Sequence, residues 1–453
     1  MIITMFNLKN KKIAVFGLGV SGLSAIRFLS VLVAECKAIN SGPVSTWAQN
    51  SGVLDYIDTS ACFSEDDPLL SDGLKNIELV ILSPGISRDH FLLKPLLEKG
   101  IAVWGELELA YQYLESINAL SPIIGITGTN GKTTTTTFLG EILEADHKKV
   151  FVGGNIGVPF CDYSYALFKN GKPAMVDFIL LELSSFQLES IDHFHVNIAL
   201  FLNLFQNHGE RYLSIEDYAL AKFNITNRFE HSDLLIYPED FPLLSEWAKK
   251  QSGKKKTVHT QKPKSSFDLT KFKLPGIHNR VNLNFILEVA QELNISNNAI
   301  QASIDTFLGV HHRVEYVPTV LGLFKFKVYN DAKSTNWDAT LTAVKAMEEL
   351  PGKIYLIIGG KKRGYGDSIL PYIDFLKSRV HFIYLIGEMS LEIESEIKGK
   401  IDYKLSNTIE NTILDLRTNH NDELAVLLFS PGFPSFDQFK NYAHRGEQFV
   451  SLL

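Results

Sequence analysis

The sequence predicts an α/β protein of three domains, each built on a mostly parallel sheet covered by helices. Short apolar runs alternate with helical periods along the chain. Two of those runs empty into glycine turns that open helices. A length of 453 residues is too great for one ordinary core. Composition supports a globular chain: 45% hydrophobic and 21% charged residues exclude disorder, collagen and a disulfide scaffold. Lys and Arg number 44 against 51 Asp and Glu, a net charge of −7, which argues against a general nucleic-acid binder. The three cysteines, Cys36, Cys62 and Cys161, lack CxxC spacing, which fits a reducing compartment and excludes a Cys-based zinc site. The opening MIITMFNLKNKK puts apolar residues before lysines, the reverse of a secretory signal. No apolar run approaches the ~20 residues that span a bilayer. A cytoplasmic monomer without membrane or nucleic-acid partners is expected.

Residues 12–19, KIAVFGLG, read as a buried strand entering a glycine turn, and Leu23, Ile26, Phe28 and Leu29 give the helical period behind it. Further strands are expected at AECKAI (34–39) and IELVILSPG (77–85). A helix starting at Gly105 reads as a domain connector. The next block opens on the strand PIIGITG (122–128) and the helix FLGEILEA, with later strands at FILLELS (178–184) and NIALFLNL (197–204). The lysine-rich stretch 249–264 has few apolar residues and is expected to be an exposed loop or insertion. After the helix NNAIQASIDTFLGV (297–310), strands are expected at FKVYND, KIYLIIGG, HFIYLIG and ELAVLLFSPG. The expected domain limits are 1–105, 106–309 and 310–453. No tandem repeat is visible.

The strongest chemical signal is Gly125-Ile-Thr-Gly128-Thr129-Asn130-Gly131-Lys132-Thr133-Thr134, between a strand and an amphipathic helix. Its glycines let backbone N–H groups converge on a polyphosphate, and the helix N-terminus adds its positive end. Lys132 would reach the β and γ phosphates, and the Thr133 hydroxyl would sit on Mg²⁺. The usual first glycine of such a loop is replaced by Ile126. An ATP site is expected, in a domain of the P-loop ATPase type.

Gly17-Leu-Gly19-Val20-Ser21-Gly22 fits GxGxxG after a strand and before a helix, so the first domain is expected to be Rossmann-like. The next strand ends in Asn40 and Ser41, not in the acid that would hold an NAD ribose. Dinucleotide binding and binding of another diphosphate, such as a UDP pyrophosphate, both remain open. Glu182 ends FILLELS, where a Walker-B-type Mg²⁺ ligand or a solvent-facing carboxylate would stand. His208 follows another strand and is either structural or part of the same sheet edge. Lys222, in IEDYALAKFNI, has no special status from its surroundings. Asn279 offers donors and an acceptor to a nucleotide or phosphate and Arg313 a planar cation suited to phosphate, while Asp331 and Lys333 form another strand-end cluster, each weak alone.

Taken together, GITGTNGKTTTT, GGNIG (153–157), LELSSFQLE (181–189), YALAK, HNRVN, HHRVE, NDAKSTN and SPGFPSFDQFKNYAHRGEQF resemble the Mur ligases. These are ATP-dependent amide-bond formers of peptidoglycan precursor synthesis. The SSFQLE, SFDQFKN and GLGVSG segments point to the D-glutamate-adding branch. The resemblance implies a second Rossmann-like domain at the C-terminus. It also implies a reaction in which ATP phosphorylates the carboxylate of UDP-N-acetylmuramoyl-L-alanine and D-glutamate attacks the acyl phosphate. It assigns Gly128 to Thr134, Asn279, Arg313 and Asp331 to ATP. Thr133, Glu182, His208 and a carbamylated Lys222 would hold Mg²⁺, with Lys132, Glu182, His208 and Lys222 catalytic. Val20, Ser21, Asn40, Ser41, Ser83, Pro84, Gly85, Asn155 and Ser184 would bind the UDP substrate. Lys333, Thr335, Arg363, Ser435, Phe436 and Tyr442 would bind D-glutamate.

The sequence departs from the family pattern in several places. Asn207 stands for the first acid of a DHxDRH-like stretch, and Asn40 for an aspartate. Arg363 stands for a lysine unless Lys361 or Lys362 takes the role, and Phe433-Pro434 replace small residues. A sister ligase, a folylpolyglutamate-type ligase adding another amino acid, and a P-loop regulator that makes no bond are the alternatives.

Overall fold

The computed structural model describes residues 8–170, 175–209, 211–263, 265–318, 326–364, 366–419 and 425–453. Residues 1–7 of the N-terminal reading, Glu210 of the His208 stretch and Lys264 of the lysine-rich stretch lie outside them. The chain divides into two compact units, 1–262 with 282–300, and 263–281 with 301–453.

The first unit holds two parallel sheets. One comprises β1 (Lys12–Phe16), β2 (Glu35–Asn40), β3 (Cys62–Ser64), β4 (Leu79–Leu82) and β5 (Ala102–Trp104), in the order β3-β2-β1-β4-β5. The other comprises β6 (Ile123–Thr127), β7 (Val150–Gly154), β8 (Phe178–Glu182), β9 (Ile198–Phe201), β10 (Leu234–Pro238) and β11 (Lys254–Val258), in the order β11-β10-β9-β6-β8-β7. Parallel strands need covering helices on both faces, which is why their sequences read as continuous apolar runs. One apolar cluster serves both sheets, and in it Phe28 meets Tyr113 edge-on with ring centroids 4.9 Å apart. Here the helices Val20–Val31, Glu106–Ser116 and Phe160–Asn170 pack together, and Asp162 takes bonds from Ser24 and Arg27.

The second unit holds β12 (Glu315–Val317), β13 (Phe326–Asn330), β14 (Lys353–Gly359), β15 (Val380–Ile386), β16 (Tyr403–Asn407) and β17 (Ala425–Phe429). Their order is β12-β13-β17-β14-β15-β16, with only β12 antiparallel. Along β14 the side chains alternate: Ile354, Leu356 and Ile358 enter one buried cluster, Tyr355 and Ile357 the other.

The lysine-rich stretch departs from the expected loop. Lys249 and Lys250 end the helix Pro242–Lys250, and Lys254–Val258 forms β11 in register with β10. An edge strand has one neighbour and needs no apolar face, so its charge hid it from an apolar-run reading. Lys256 pairs with Glu288 at 3.4 Å and Glu292 at 3.5 Å, and Lys254 with Glu292 at 3.4 Å.

In each sheet the candidate residues fall near the point where the strand order reverses, at the carboxyl ends of strands. β6 lies between β8 and β9, β1 lies beside β4, and β17 lies between β13 and β14. No described helix is long and apolar enough to cross a membrane.

Candidate active site

At the end of β6 the chain turns through Gly128 and Gly131 into the helix Lys132–Ala145. Gly131 caps that helix at φ +84°, a left-handed conformation, and a Cβ there would lie 2.7 Å from Asn282 Oδ1. It supplies no side-chain cap. The first-turn amides, which have no intrahelical acceptor, are therefore available to an anion. The loop is pinned from β9: Asn130 N–H donates to Asn203 Oδ1 at 2.9 Å, and Thr129 N–H to Asn203 O at 3.1 Å. Lys132 Nζ donates to the carbonyls of Gly128 at 2.9 Å and Thr129 at 3.0 Å, so its charge lies over the loop.

Glu182, at the end of β8, is buried. Its Oε2 accepts the Thr133 hydroxyl at 2.8 Å, and its Oε1 accepts Asn155 Nδ2 at 2.8 Å. A carboxylate and a hydroxyl in contact beside a phosphate loop are the hard oxygen donors that Mg²⁺ takes, so these residues fit that ion. Among the described residues no three His, Cys, Asp or Glu side chains cluster as a ready-made metal cage.

Lys222, on the helix Ile215–Phe223, is 1% exposed. Its Nζ donates to Gly128 O at 3.0 Å and contacts Thr127 Oγ1 at 3.4 Å. Burial holds the amine well below the ordinary lysine range; the Lys132 charge adds to this and Glu182 opposes it. His208 adopts φ +56°, and its ring packs 4.7 Å from Phe186 and 6.0 Å from Tyr218. The expected residues Lys132, Thr133, Asn155, Glu182 and Lys222 are thus brought together. Ser184 caps the short helix Ser185–Leu188 in a capping box with Gln187.

At the first sheet, Ser83 Oγ donates to Gly17 O at 2.8 Å, joining the turn after β4 to the turn after β1. A Cβ at Gly22 would fall 1.9 Å from that same Gly17 carbonyl, so only glycine allows the helix so close. Asn40 Oδ1 accepts Leu18 N–H at 3.3 Å, which commits its side chain to shaping the turn. Val20, Ser41 and Gly85 are exposed around it, with Ser21 half-buried.

In the second unit, Asp331 follows β13 and is buried. It accepts the Ser430 hydroxyl at 2.7 Å and Val314 N–H at 3.2 Å. Burial pushes its carboxyl up to about 7, against those two bonds and the nearby Arg313 and Arg445 charges. Lys333 Nζ lies 5.1 Å from the Tyr442 ring centre, while Ser435 is buried and Phe436 exposed. Arg363 is held by Asp367 at 2.8 Å, Thr335 O at 2.8 Å and Gly366 O at 3.0 Å. Lys362 pairs with Glu392, and Lys361 N–H donates to Pro434 O at 2.8 Å. Asn279 Nδ2 donates to Pro275 O at 2.7 Å at the start of the helix Ile277–Glu292.

Sequence reasoning passed over Asn203, Asn282, Ser430 and Arg445. Arg445 is 1% exposed and donates to Phe433 O and Ala332 O, both at 2.8 Å, fixing the backbone beside Ser435 and Lys333. The available signal was a polar residue one or two steps past an apolar strand, as at Ser430 and Asn203, or a charge inside a motif, as at Arg445.

A family model described as "Mur ligase middle domain" matches residues 126–303, and one described as "Mur ligase MurD-like, N-terminal domain" matches 11–105. The UDP-N-acetylmuramoylalanine–D-glutamate ligase of Koribacter versatilis (strain Ellin345) is 32% identical over 467 residues, covering 99% of this chain and 98% of the relative. The ligase of that name from Streptococcus thermophilus (strain CNRZ 1066) is 33% identical over 470 residues, covering 98% of each. Among solved structures, the UDP-N-acetylmuramate-alanine ligase MurC from Thermotoga maritima matches with TM-score 0.53 and 18% identity, over 97% of this chain and 98% of that one. MurF ligase from Thermotoga maritima in complex with ADP matches with TM-score 0.55 and 18% identity, over 85% and 90%. At such identity these two establish the fold, which is the expected α/β arrangement of mostly parallel sheets.

Proposed function

Because the chain belongs to the Mur ligase family, we propose that it is an ATP-dependent ligase that joins D-glutamate to UDP-N-acetylmuramoyl-L-alanine in cytoplasmic peptidoglycan precursor synthesis. The observation that carries the reading is likeness over 98–99% of the chain to ligases of that name. The contact set around Glu182 supports it.

An unactivated carboxylate is a poor electrophile, and phosphorylation gives it a leaving group. The loop amides and Lys132 bind the ATP phosphates and balance charge as the γ-phosphoryl moves to the muramoyl-alanine carboxylate. Thr133, Glu182, His208 and Lys222 are the proposed Mg²⁺ residues, and the ion when bound supplies charge neutralisation at the phosphate oxygens. The neutral amine of buried Lys222 is the form that can add CO₂: the nitrogen lone pair would bond the CO₂ carbon and an N–H proton would leave, giving a carboxylate-like carbamate in place of the cation.

The Gly17–Gly22 turn, Asn40, Ser41 and the Ser83-Pro84-Gly85 turn are proposed to hold the UDP end, with Asn155 and Ser184 at the muramoyl-alanine end. Asn279, Arg313 and Asp331 are proposed for the nucleotide. Lys333, Thr335, Arg363, Ser435, Phe436 and Tyr442 are proposed for the amino acid, whose two carboxylates need cations and neutral donors. The amine attacks the acyl phosphate, and the tetrahedral intermediate collapses to amide and phosphate. We assign these roles to regions 1–105, 106–309 and 310–453 of a monomer.

The test is ADP formation with UDP-N-acetylmuramoyl-L-alanine across a panel of amino acids. D-Glutamate is expected to support turnover. Preference for another amino acid indicates a sister ligase. ATP binding without amino-acid-dependent ADP release indicates a regulator; either result overturns the proposal.

A further inference from the structure

Arg211 stands in the loop after β9, where the N–H groups of Arg211 and Tyr212 both donate to His208 O, at 3.0 and 2.9 Å. Its side chain is only 13% exposed and reaches across the first unit to the turn that follows β4. Nη1 donates to Pro84 O and Nη2 to Ile86 O, both at 3.2 Å. Nη2 also bonds Glu189 Oε2, and the guanidinium lies 4.8 Å from the Phe186 ring centre. The phenolic hydroxyl of Tyr212 donates to the other Glu189 oxygen, and Arg88 Nη1 donates to Glu189 O at 2.9 Å. The His208 ring rests on the other contact of this knot, Phe186, at 4.7 Å.

One planar cation therefore ties three segments: the turn Pro84-Gly85-Ile86, the segment Phe186–Glu189 behind Ser184, and the His208 loop. A fixed fork of donors can meet two carbonyls and a carboxylate at once, which a lysine ammonium cannot reproduce in direction. Gly85 is left exposed, with open space where a Cβ would stand, so the turn presents bare backbone.

We propose that Arg211 is a positioning residue that sets the substrate-binding turn Ser83-Pro84-Gly85 against the phosphate-loop sheet, and so places the substrate carboxylate for phosphoryl transfer. The proposal rests on the functional reading above, which gives that turn to the UDP substrate. Arg211 touches no reacting atom in it; the effect passes through the backbone of the turn. Glu189 neutralises the guanidinium and holds it in the seam. The ATP loop is pinned separately by Asn203, so it does not depend on Arg211.

The experiment is steady-state ADP release by the full chain and its Arg211→Lys and Arg211→Ala variants, with KM determined separately for the UDP substrate, ATP and D-glutamate. Arg211→Lys keeps charge and approximate bulk, so it keeps the measurement possible if Arg211→Ala fails to fold. Loss of one to two charge-assisted bonds is expected to raise KM for the UDP substrate roughly ten-fold in Arg211→Lys. KM for ATP should stay within about two-fold, since its loop contacts are untouched. Added methylguanidinium should recover part of the lost UDP-substrate affinity in Arg211→Ala. An unchanged UDP-substrate KM in Arg211→Lys overturns the proposal, as does an equal rise in both nucleotide KM values with a lowered unfolding midpoint. Wild-type enzyme run alongside separates the two claims. If it releases no D-glutamate-dependent ADP, the functional reading fails and takes this inference with it; turnover with unaltered variant KM values removes the inference alone.

Discussion

Glu106 is a buried acid. It sits in the first turn of the helix Glu106–Ser116 and is 3% exposed; Oε1 accepts the Cys161 backbone N–H, while Oε2 has no hydrogen-bond partner among the described residues. Burial raises its carboxyl from 4.5 to about 7; the Cys161 amide pulls the other way and the Asp162 charge adds to the rise. Because the folded chain holds this proton more tightly than the unfolded chain, its stabilising effect is complete below pH 4.5 and is lost as pH rises through about 7. At about 1.36 kcal/mol per pH unit, the full loss is roughly 3 kcal/mol, most of it between pH 5 and pH 8. Glu106→Gln keeps an acceptor for Cys161 and cannot ionise. The variant should therefore gain roughly 2–3 kcal/mol relative to wild type on going from pH 5 to pH 8. Hydrogen-exchange protection of the helices Glu106–Ser116 and Phe160–Asn170, compared between the two proteins at both pH values, reads this double difference. Intrinsic exchange rates cancel in it. A protection difference that is the same at both pH values refutes the reasoning.

Lys132→Ala should abolish ADP formation while leaving UDP-substrate binding by calorimetry intact; loss of that binding with turnover preserved would contradict the separation of the two sites. For Lys222, ¹³C-labelled bicarbonate should give a carbamate carbon signal in wild type that is missing in Lys222→Arg, whose guanidinium stays charged. An active wild-type enzyme without the signal removes carbamylation. Asp331 accepts hydrogen bonds best when ionised, so KM for ATP should fall as pH rises through about 7, and the fall should vanish in Asp331→Asn. A pH profile unaltered by the substitution assigns that dependence elsewhere.

The apolar runs read as strands became strands because parallel sheets are buried on both faces, and burial writes itself into composition. The phosphate loop was legible for a related reason. At Gly131 a left-handed backbone pressed against Asn282 leaves room for one residue type only. Other strands were not read: β11 reads KKKTV and shows no apolar run, β3, β5 and β12 have three residues each, too few for a period to show, and β7 and β10 were passed over although their residues are apolar.

Among the site residues, what the sequence withheld was partnership. Lys361, Lys362 and Arg363 are consecutive cations, of which the sequence nominates Arg363 with the two lysines as alternatives, and the fold gives each a different partner. Asp367, four residues on, takes Arg363, while Glu392, on the helix Ser390–Ile397, takes Lys362. The same holds for proximity. Asp331, Lys361 and Ser430 stand at 331, 361 and 430 and share no local motif. Because β17 inserts between β13 and β14, the three strand ends that carry them become neighbours, and Asp331 meets the Ser430 hydroxyl at 2.7 Å. A site of this kind is specified by strand order, which arises from long-range pairing, so Asp331 and Lys361 could be nominated one by one from sequence, Ser430 was missed, and the three are joined only through the topology.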